Sequence, residues 1–150
     1  MDVVLVAPEI PQNTGSIGRL CVATDSPLHL IDPLGFTIDD RHLRRAGLDY
    51  WPHVRWSRHA SWDGFLAARR PGRLLCFAAR TPRPYTTVRF REDDFLVFGC
   101  ESRGLPTSIR EAHADATFGI PLASEHVRSL NLATAVAVVV YEGLRQQGKV

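Results

Sequence analysis

Two observations predict an α/β protein built on a mostly parallel sheet. Six short apolar or β-branched runs recur along the 150-residue chain, and helix-like segments separate most of them. The runs are Val3–Val6, Leu28–Ile31, Val54–Trp56, Leu74–Phe77, Phe95–Phe98 and Thr117–Ile120. A first helix is expected from about Ser16 to Thr24, with Ile17, Leu20, Cys21 and Thr24 on one face. Asp39 can cap a second helix reaching Ala46, with Gly47 at its end. Ser61 can cap a third through Arg70, stopped by Pro71, and Pro106–Ala112 can start with proline in its first turn. The last helix follows Ser129-Leu130-Asn131 and runs to about Gln147, where Gly148 is a suitable stop. It is apolar nearly all round, so it is expected to be buried on more than one side, in the core or in a dimer interface.

Composition narrows the class. The length fits one domain, residues 1–150, with a real core. A content of 45% hydrophobic and 23% charged residues is that of a soluble globular protein. The apolar run at Val3–Ala7 is too short for a signal peptide, and Leu132–Tyr141 is too short to span a bilayer. Three cysteines without a C-x-x-C argue against a disulfide framework and fit a reducing cytoplasm. The histidines form no ligand set, so no metal is expected. Twelve arginines but only two acids, Asp49 and Asp63, lie between Arg41 and Arg91. Such a one-sided block reads as an electrostatic footprint for nucleic acid, the alternative being a compositional bias on a solvated face. Within it, Arg41, His42, Arg44 and Arg45 could grip RNA phosphates, and Tyr50, Trp51 and Trp56 could stack on a splayed base unless they belong to the core.

Three corners rich in glycine and asparagine each follow a predicted strand, so they can converge on one edge of the sheet. The first is Pro8 to Arg19, in which Asn13 can cap the helix. The second is Phe98-Gly99-Cys100-Glu101-Ser102-Arg103-Gly104-Leu105-Pro106. The third is Ile120-Pro121-Leu122 leading to Ser129-Leu130-Asn131. Asn13-x-Gly15-x-x-Gly18 followed by Asp32 imitates a dinucleotide fingerprint, but its first glycine is missing, and G-x-S-x-G is absent.

Taken together, Asn13-x-Gly15-x-x-x-Arg19, Phe98-Gly99-x-Glu101-x-x-Gly104-Leu105 and Ile120-Pro121 with Ser129-Leu130-Asn131-Leu132 resemble the three motifs of SPOUT-class RNA 2′-O-ribose methyltransferases. The segments Ala7–Pro11, Asp32–Phe36 and Leu43–Tyr50 look closest to the branch that methylates the wobble cytidine or uridine of tRNA, tRNA-Leu isoacceptors in particular, with a bare catalytic domain. Asp25-Ser26-Pro27 departs from that branch where a glycine turn is usual. The resemblance implies a C-terminal trefoil knot, a homodimer and a tRNA partner. It also implies S-adenosylmethionine as methyl donor, leaving as S-adenosylhomocysteine.

By motif position, the resemblance puts the donor against Phe77, Ala78, Ala79, Gly99, Glu101, Gly104, Ile120, Leu122, Ser129 and Leu130. It puts Asn13, Arg19, Glu101, Ser129, Asn131 and Tyr141 at the reaction. A guanidinium stays protonated in proteins, so Arg19 is read as a phosphate and alkoxide clamp, with a water or Glu101 taking the proton. Glu101 could instead simply pair with Arg19 or Arg103. Three alternatives stay open: the same chemistry at another RNA position, a dinucleotide-binding oxidoreductase fragment, and an RNA-binding protein without catalysis.

Overall fold

The computed structural model describes residues 1–38 and 49–150. The helix expected at Asp39–Ala46, and with it Arg41, His42, Arg44 and Arg45, lies outside the described residues. In the rest, β1 (Asp2–Val6), β2 (Leu28–Ile31), β3 (Trp56–His59), β4 (Leu74–Phe77), β5 (Phe95–Phe98) and β6 (Thr117–Phe118) alternate with α1 (Pro11–Ala23), α2 (Trp62–Ala68), α3 (Thr107–Ala112) and α4 (Leu132–Gln146). The sheet is parallel throughout, in the order β3-β2-β1-β5-β4-β6. The chain winds outward from β1 to β3, crosses back, and fills the other half. The switch point between β1 and β5 is where an open α/β sheet offers a crevice beyond the strand ends.

The apolar runs become continuous because both faces of the sheet are covered. Val3, Leu5, Leu30, Leu96 and Phe98 meet Ile17 and Cys21 of α1 and Val136, Val139, Val140 and Leu144 of α4. Val4, Val6, Ile31, Phe95 and Val97 meet Phe65 of α2 and Ile109 of α3. Burial pushes the Cys21 and Cys76 thiols up to about 12, so both behave as inert core groups.

Several boundaries differ from expectation. Helix α1 begins five residues early, at Pro11, whose missing N–H suits a first helical turn. Asn13 is therefore inside the helix and is not its cap. Strand β3 starts where its expected run ends, because Val54 turns into the core beside Trp51 and the pairing with β2 begins at Trp56. Strand β6 stops at Phe118, and Gly119 instead makes a bridge with Pro84. Ser61 caps α2 as expected, its hydroxyl accepting from Gly64 N–H at 3.0 Å. Asn131 caps α4 through Ala133 and Thr134 N–H at 2.9 and 3.3 Å, and Gly148 past its end has φ +67°. Helix α4 buries one face only; Tyr141 on the other is 47% exposed. Asp25, where a glycine turn is usual, carries φ +50° itself and pairs with Arg55 at 2.8 Å. Among the described residues, no helix is long and apolar enough to cross a membrane.

Five arginines of the block are spent inside the fold. Arg55, Arg58, Arg70, Arg73 and Arg83 pair with Asp25, Asp32, Asp2, Asp94 and Asp115, all acids outside the block. Strand order brings those acids alongside, so a charge imbalance along the sequence becomes pairing in space. Reading the whole block as an RNA footprint is corrected for these five.

Beside the start of β1 a polar cluster spans three strands. Asp2 accepts from Arg70 at 2.8 Å and lies 3.2 Å from His29 Nε2. Ser57 Oγ sits 2.8 Å from His29 Nδ1 and 3.1 Å from His59 Nε2, with Phe65 of α2 over both rings. Burial and then the neighbouring His29 hold the His59 pKa below its ordinary 6.5. Between those two values the unfolded chain binds the extra proton, so stability is full above about 6.5 and is lost as pH falls below it. We expect the thermal midpoint to drop between about pH 7 and pH 5. His59→Gln should flatten that slope; an unchanged slope in thermal melts refutes this origin.

Candidate active site

A cleft of about 610 Å³ opens at the carboxyl ends of β1, β4, β5 and β6, within the roughly 300–1,000 Å³ of small-molecule sites. Its floor is the pair Phe77 and Phe98, the last residues of adjacent strands, with ring centroids 5.0 Å apart. Four chain segments wall it: residues 78–80 after β4, 99–105 after β5, 119–122 after β6, and 128–132 entering α4. Ile10 and Asn13 close the side next to β1.

The loop after β5 doubles back so tightly that a Cβ on Gly99 would stand 2.0 Å from the Gly104 carbonyl carbon. Gly104 itself has φ +70° with open space where a side chain would be. The bridge between Cys100 and Gly104 closes the turn, Gly104 N–H donating to Cys100 O at 2.9 Å. These constraints aim Glu101 across the switch point at the corner after β1.

There the Glu101 carboxylate accepts from Glu9 N–H at 2.7 Å, Ile10 N–H at 3.2 Å and Asn13 Nδ2 at 3.0 Å. The exchange is reciprocal: the Glu9 carboxylate accepts from Ser102 N–H at 2.9 Å and Ser102 Oγ at 2.8 Å. The Ser102 hydroxyl and N–H bonds hold the Glu9 carboxyl below its usual range. Asn13 Oδ1 then accepts from Asn131 Nδ2 at 2.9 Å, and Asn131 Oδ1 caps α4. One hydrogen-bonded chain thus ties all three corners together. Glu101 pairs with neither Arg19 nor Arg103, because backbone and amide donors already occupy its oxygens.

All ten residues expected at the donor line this cleft: Phe77, Ala78, Ala79, Gly99, Glu101, Gly104, Ile120, Leu122, Ser129 and Leu130. So do Asn13 and Asn131. Arg19 and Tyr141 are not among its lining. Arg19 is exposed, its guanidinium 4.8 Å above the Tyr50 ring, and the Tyr50 hydroxyl donates to Gly15 O at 2.7 Å. Trp51 is a core residue against Gly18, whereas Trp56 is 38% exposed on the edge strand. His126 lies in an exposed loop. Asp32, the acid of the imitated dinucleotide fingerprint, is taken by Arg58 at 2.9 Å and does not line the cleft.

Sequence reasoning missed Glu9, Arg80, Arg110 and Arg128. Glu9 had no signal, since its partner is 93 residues away. The three arginines stand apart from one another in sequence, and only the fold gathers them with Arg103 at the cleft.

The chain is 46% identical over 149 residues to the tRNA (cytidine(34)-2′-O)-methyltransferase of Escherichia coli, covering 99% of this chain and 94% of that protein. It is 46% identical over 150 residues to the enzyme of the same name from Burkholderia cenocepacia, covering 98% and 96%. A solved structure described as structural insights into the 2-OH methylation of C/U34 on tRNA superposes with a TM-score of 0.88 at 50% identity, covering 98% of this chain and 95% of the other. The SpoU methyltransferase AviRb from Streptomyces viridochromogenes, in complex with the cofactor AdoMet, superposes at 0.81 with 26% identity, covering 98% and 57%. The model of the SpoU rRNA methylase family matches residues 1–141, the whole stretch from β1 through Tyr141 of α4, and the chain belongs to that family.

Proposed function

We propose that this protein transfers a methyl group from S-adenosylmethionine to the ribose 2′-hydroxyl of the wobble cytidine or uridine of a tRNA, with tRNA-Leu isoacceptors as the expected substrates. The observation that carries the reading is the convergence of three distant corners on one cleft, tied by Glu101, Asn13 and Asn131. Residues 1–150 are read as one methyltransferase domain, knotted at its C-terminal part and working in the cytoplasm.

The cleft suits the donor. Phe77, Ile120, Leu122 and Leu130 provide an apolar slot for a purine, and the Ser129 hydroxyl and loop backbone provide polar edges. Bound there, S-adenosylmethionine supplies an electrophilic methyl and departs as S-adenosylhomocysteine once the carbon–sulfur bond gives way to carbon–oxygen. The chain's own task is to hold the hydroxyl in line and accept its proton. Glu101 has its oxygens already taken up by two backbone N–H groups and the Asn13 amide, so none is turned toward a substrate hydroxyl. It acts as a positioning residue, and a water takes the proton. Arg19 binds the adjacent phosphate and stabilises the forming alkoxide.

Arg19 on α1 and Tyr141 on α4 both face outward from packed neighbouring helices. A homodimer joined through that face, where Val22 is also 36% exposed, would carry them to a second subunit's cleft. The RNA contacts of Arg41, His42, Arg44 and Arg45 belong to the same reading.

The direct test is methyl transfer from labelled donor to total tRNA, followed by nucleoside mapping. Label in the 2′-O-methylated wobble nucleoside is the expected outcome. Label at another nucleotide moves the target, and no label refutes the activity. Glu101→Gln keeps the shape but sets an NH₂ against N–H donors; we expect about 2 kcal/mol lower unfolding free energy and weaker donor binding, read by denaturation and calorimetry. Arg19→Lys should lower kcat by about tenfold or more while donor affinity holds. A wild-type kcat would exclude a role for the guanidinium fork.

A further inference from the structure

Four arginines stand at the cleft: Arg80 after β4, Arg103 after β5, Arg110 on α3 and Arg128 before α4. All four are exposed, and among the described residues none has an ion-pair partner, whereas five arginines elsewhere are matched to aspartates. Arg80 also holds φ +58°, a backbone conformation that side-chain-bearing residues rarely adopt. Among the described residues Glu101 supplies the only carboxylate in the lining and already receives three hydrogen bonds, while Glu9, beside Arg103, is held by Ser102. The mouth of the cleft is therefore strongly positive.

That charge does not match the methyl donor. S-adenosylmethionine carries a sulfonium and an ammonium against a single carboxylate, so it enters as a net cation. One guanidinium is enough for its carboxylate. The others repel it unless a polyanion enters as well.

We propose that Arg80, Arg103, Arg110 and Arg128 are the phosphate grip for the RNA strand at the reaction site, and that they couple the two substrates. Before RNA arrives, the rim disfavours the cationic donor. Once phosphates neutralise the guanidiniums, that penalty is removed and donor binding strengthens. By linkage, donor and RNA each tighten the other. After transfer the product has lost the sulfonium charge, so the coupling weakens and release of S-adenosylhomocysteine no longer waits on the RNA. This inference rests on the methyltransferase reading above, and it adds the residues and the electrostatic order of binding.

Arg110 and Arg128 have no side-chain hydrogen bonds among the described residues and are exposed, so replacing both leaves the fold's own contacts intact. The test measures binding of an unmodified anticodon stem-loop RNA, of S-adenosylmethionine and of S-adenosylhomocysteine to the full wild-type chain and to Arg110→Ala/Arg128→Ala. RNA affinity should fall about tenfold in the double variant, and the slope of log K against log salt should shrink by about 1.4, two single-strand phosphate contacts at roughly 0.7 each. Donor affinity without RNA should rise, because two of the repelling guanidiniums are gone, and an unchanged affinity refutes the repulsion. RNA should tighten S-adenosylmethionine about fivefold on the wild type, and S-adenosylhomocysteine less.

Unchanged RNA affinity overturns the proposal. A clear loss of donor affinity in the variant also overturns it, because the arginines would then be serving the donor carboxylate. Equal donor affinity with and without RNA overturns the coupling. Methylation of the same stem-loop by the wild type is read in parallel. A wild type that methylates but fails these binding tests refutes the grip alone, and one that neither methylates nor binds the donor refutes the underlying activity.

Discussion

The Glu101 carboxylate is the group on which the cleft depends. It leaves the end of β5, crosses to the neighbouring strand β1, and receives two backbone N–H groups and the Asn13 amide. Hydrogen bonds to an ionised group contribute roughly 1.5–3 kcal/mol each. They are reinforced because Glu9 returns the same favour to Ser102. The two corners therefore lock as a pair, and neither can move without breaking bonds made by the other. Asn13 passes the constraint to Asn131, and Asn131 passes it to the first turn of α4.

This clasp is possible only because β1 and β5 are adjacent and parallel. Parallel pairing sends both chain exits to the same edge, and the order reversal between them leaves a gap beyond their ends. Gly99 and Gly104 let the second corner fold into that gap, and the Phe77–Phe98 pair closes it from below. A packing arrangement and a hydrogen-bond network thus meet at one point, and the cleft is their common surface.

Charge is distributed by a similar logic. Arginine dominates the middle of the sequence, yet most of the described guanidiniums there serve the fold, lying beside aspartates contributed by other strands and loops. The Arg73–Asp94 pair shows why: Asp94 is fully buried, and a charge in that position is sustained only with its partner present. Among the described residues, the arginines left without an aspartate or glutamate partner include the four around the cleft.

Strand positions were readable because buried parallel strands need unbroken apolar runs; β2, β4 and β5 coincide with those runs residue for residue. The caps at Ser61 and Asn131 and the stop at Gly148 were readable because each satisfies a local backbone need. So were the three corners, whose glycines and asparagines mark a turn wherever they stand. The start of α1 was misjudged because Pro8, Pro11 and the asparagine suggest a loop, while the helix is held from outside by Glu101. What the sequence by itself determined was thus the sheet, its corners and the types of residue placed there. Only the tertiary structure decided that Glu101 is a clasp, that five arginines of the block are paired with aspartates, and that Arg80, Arg103, Arg110 and Arg128 share one rim. Those outcomes depend on which strands become neighbours, and contacts across 90 residues or more leave no periodicity or spacing for a linear reading to detect.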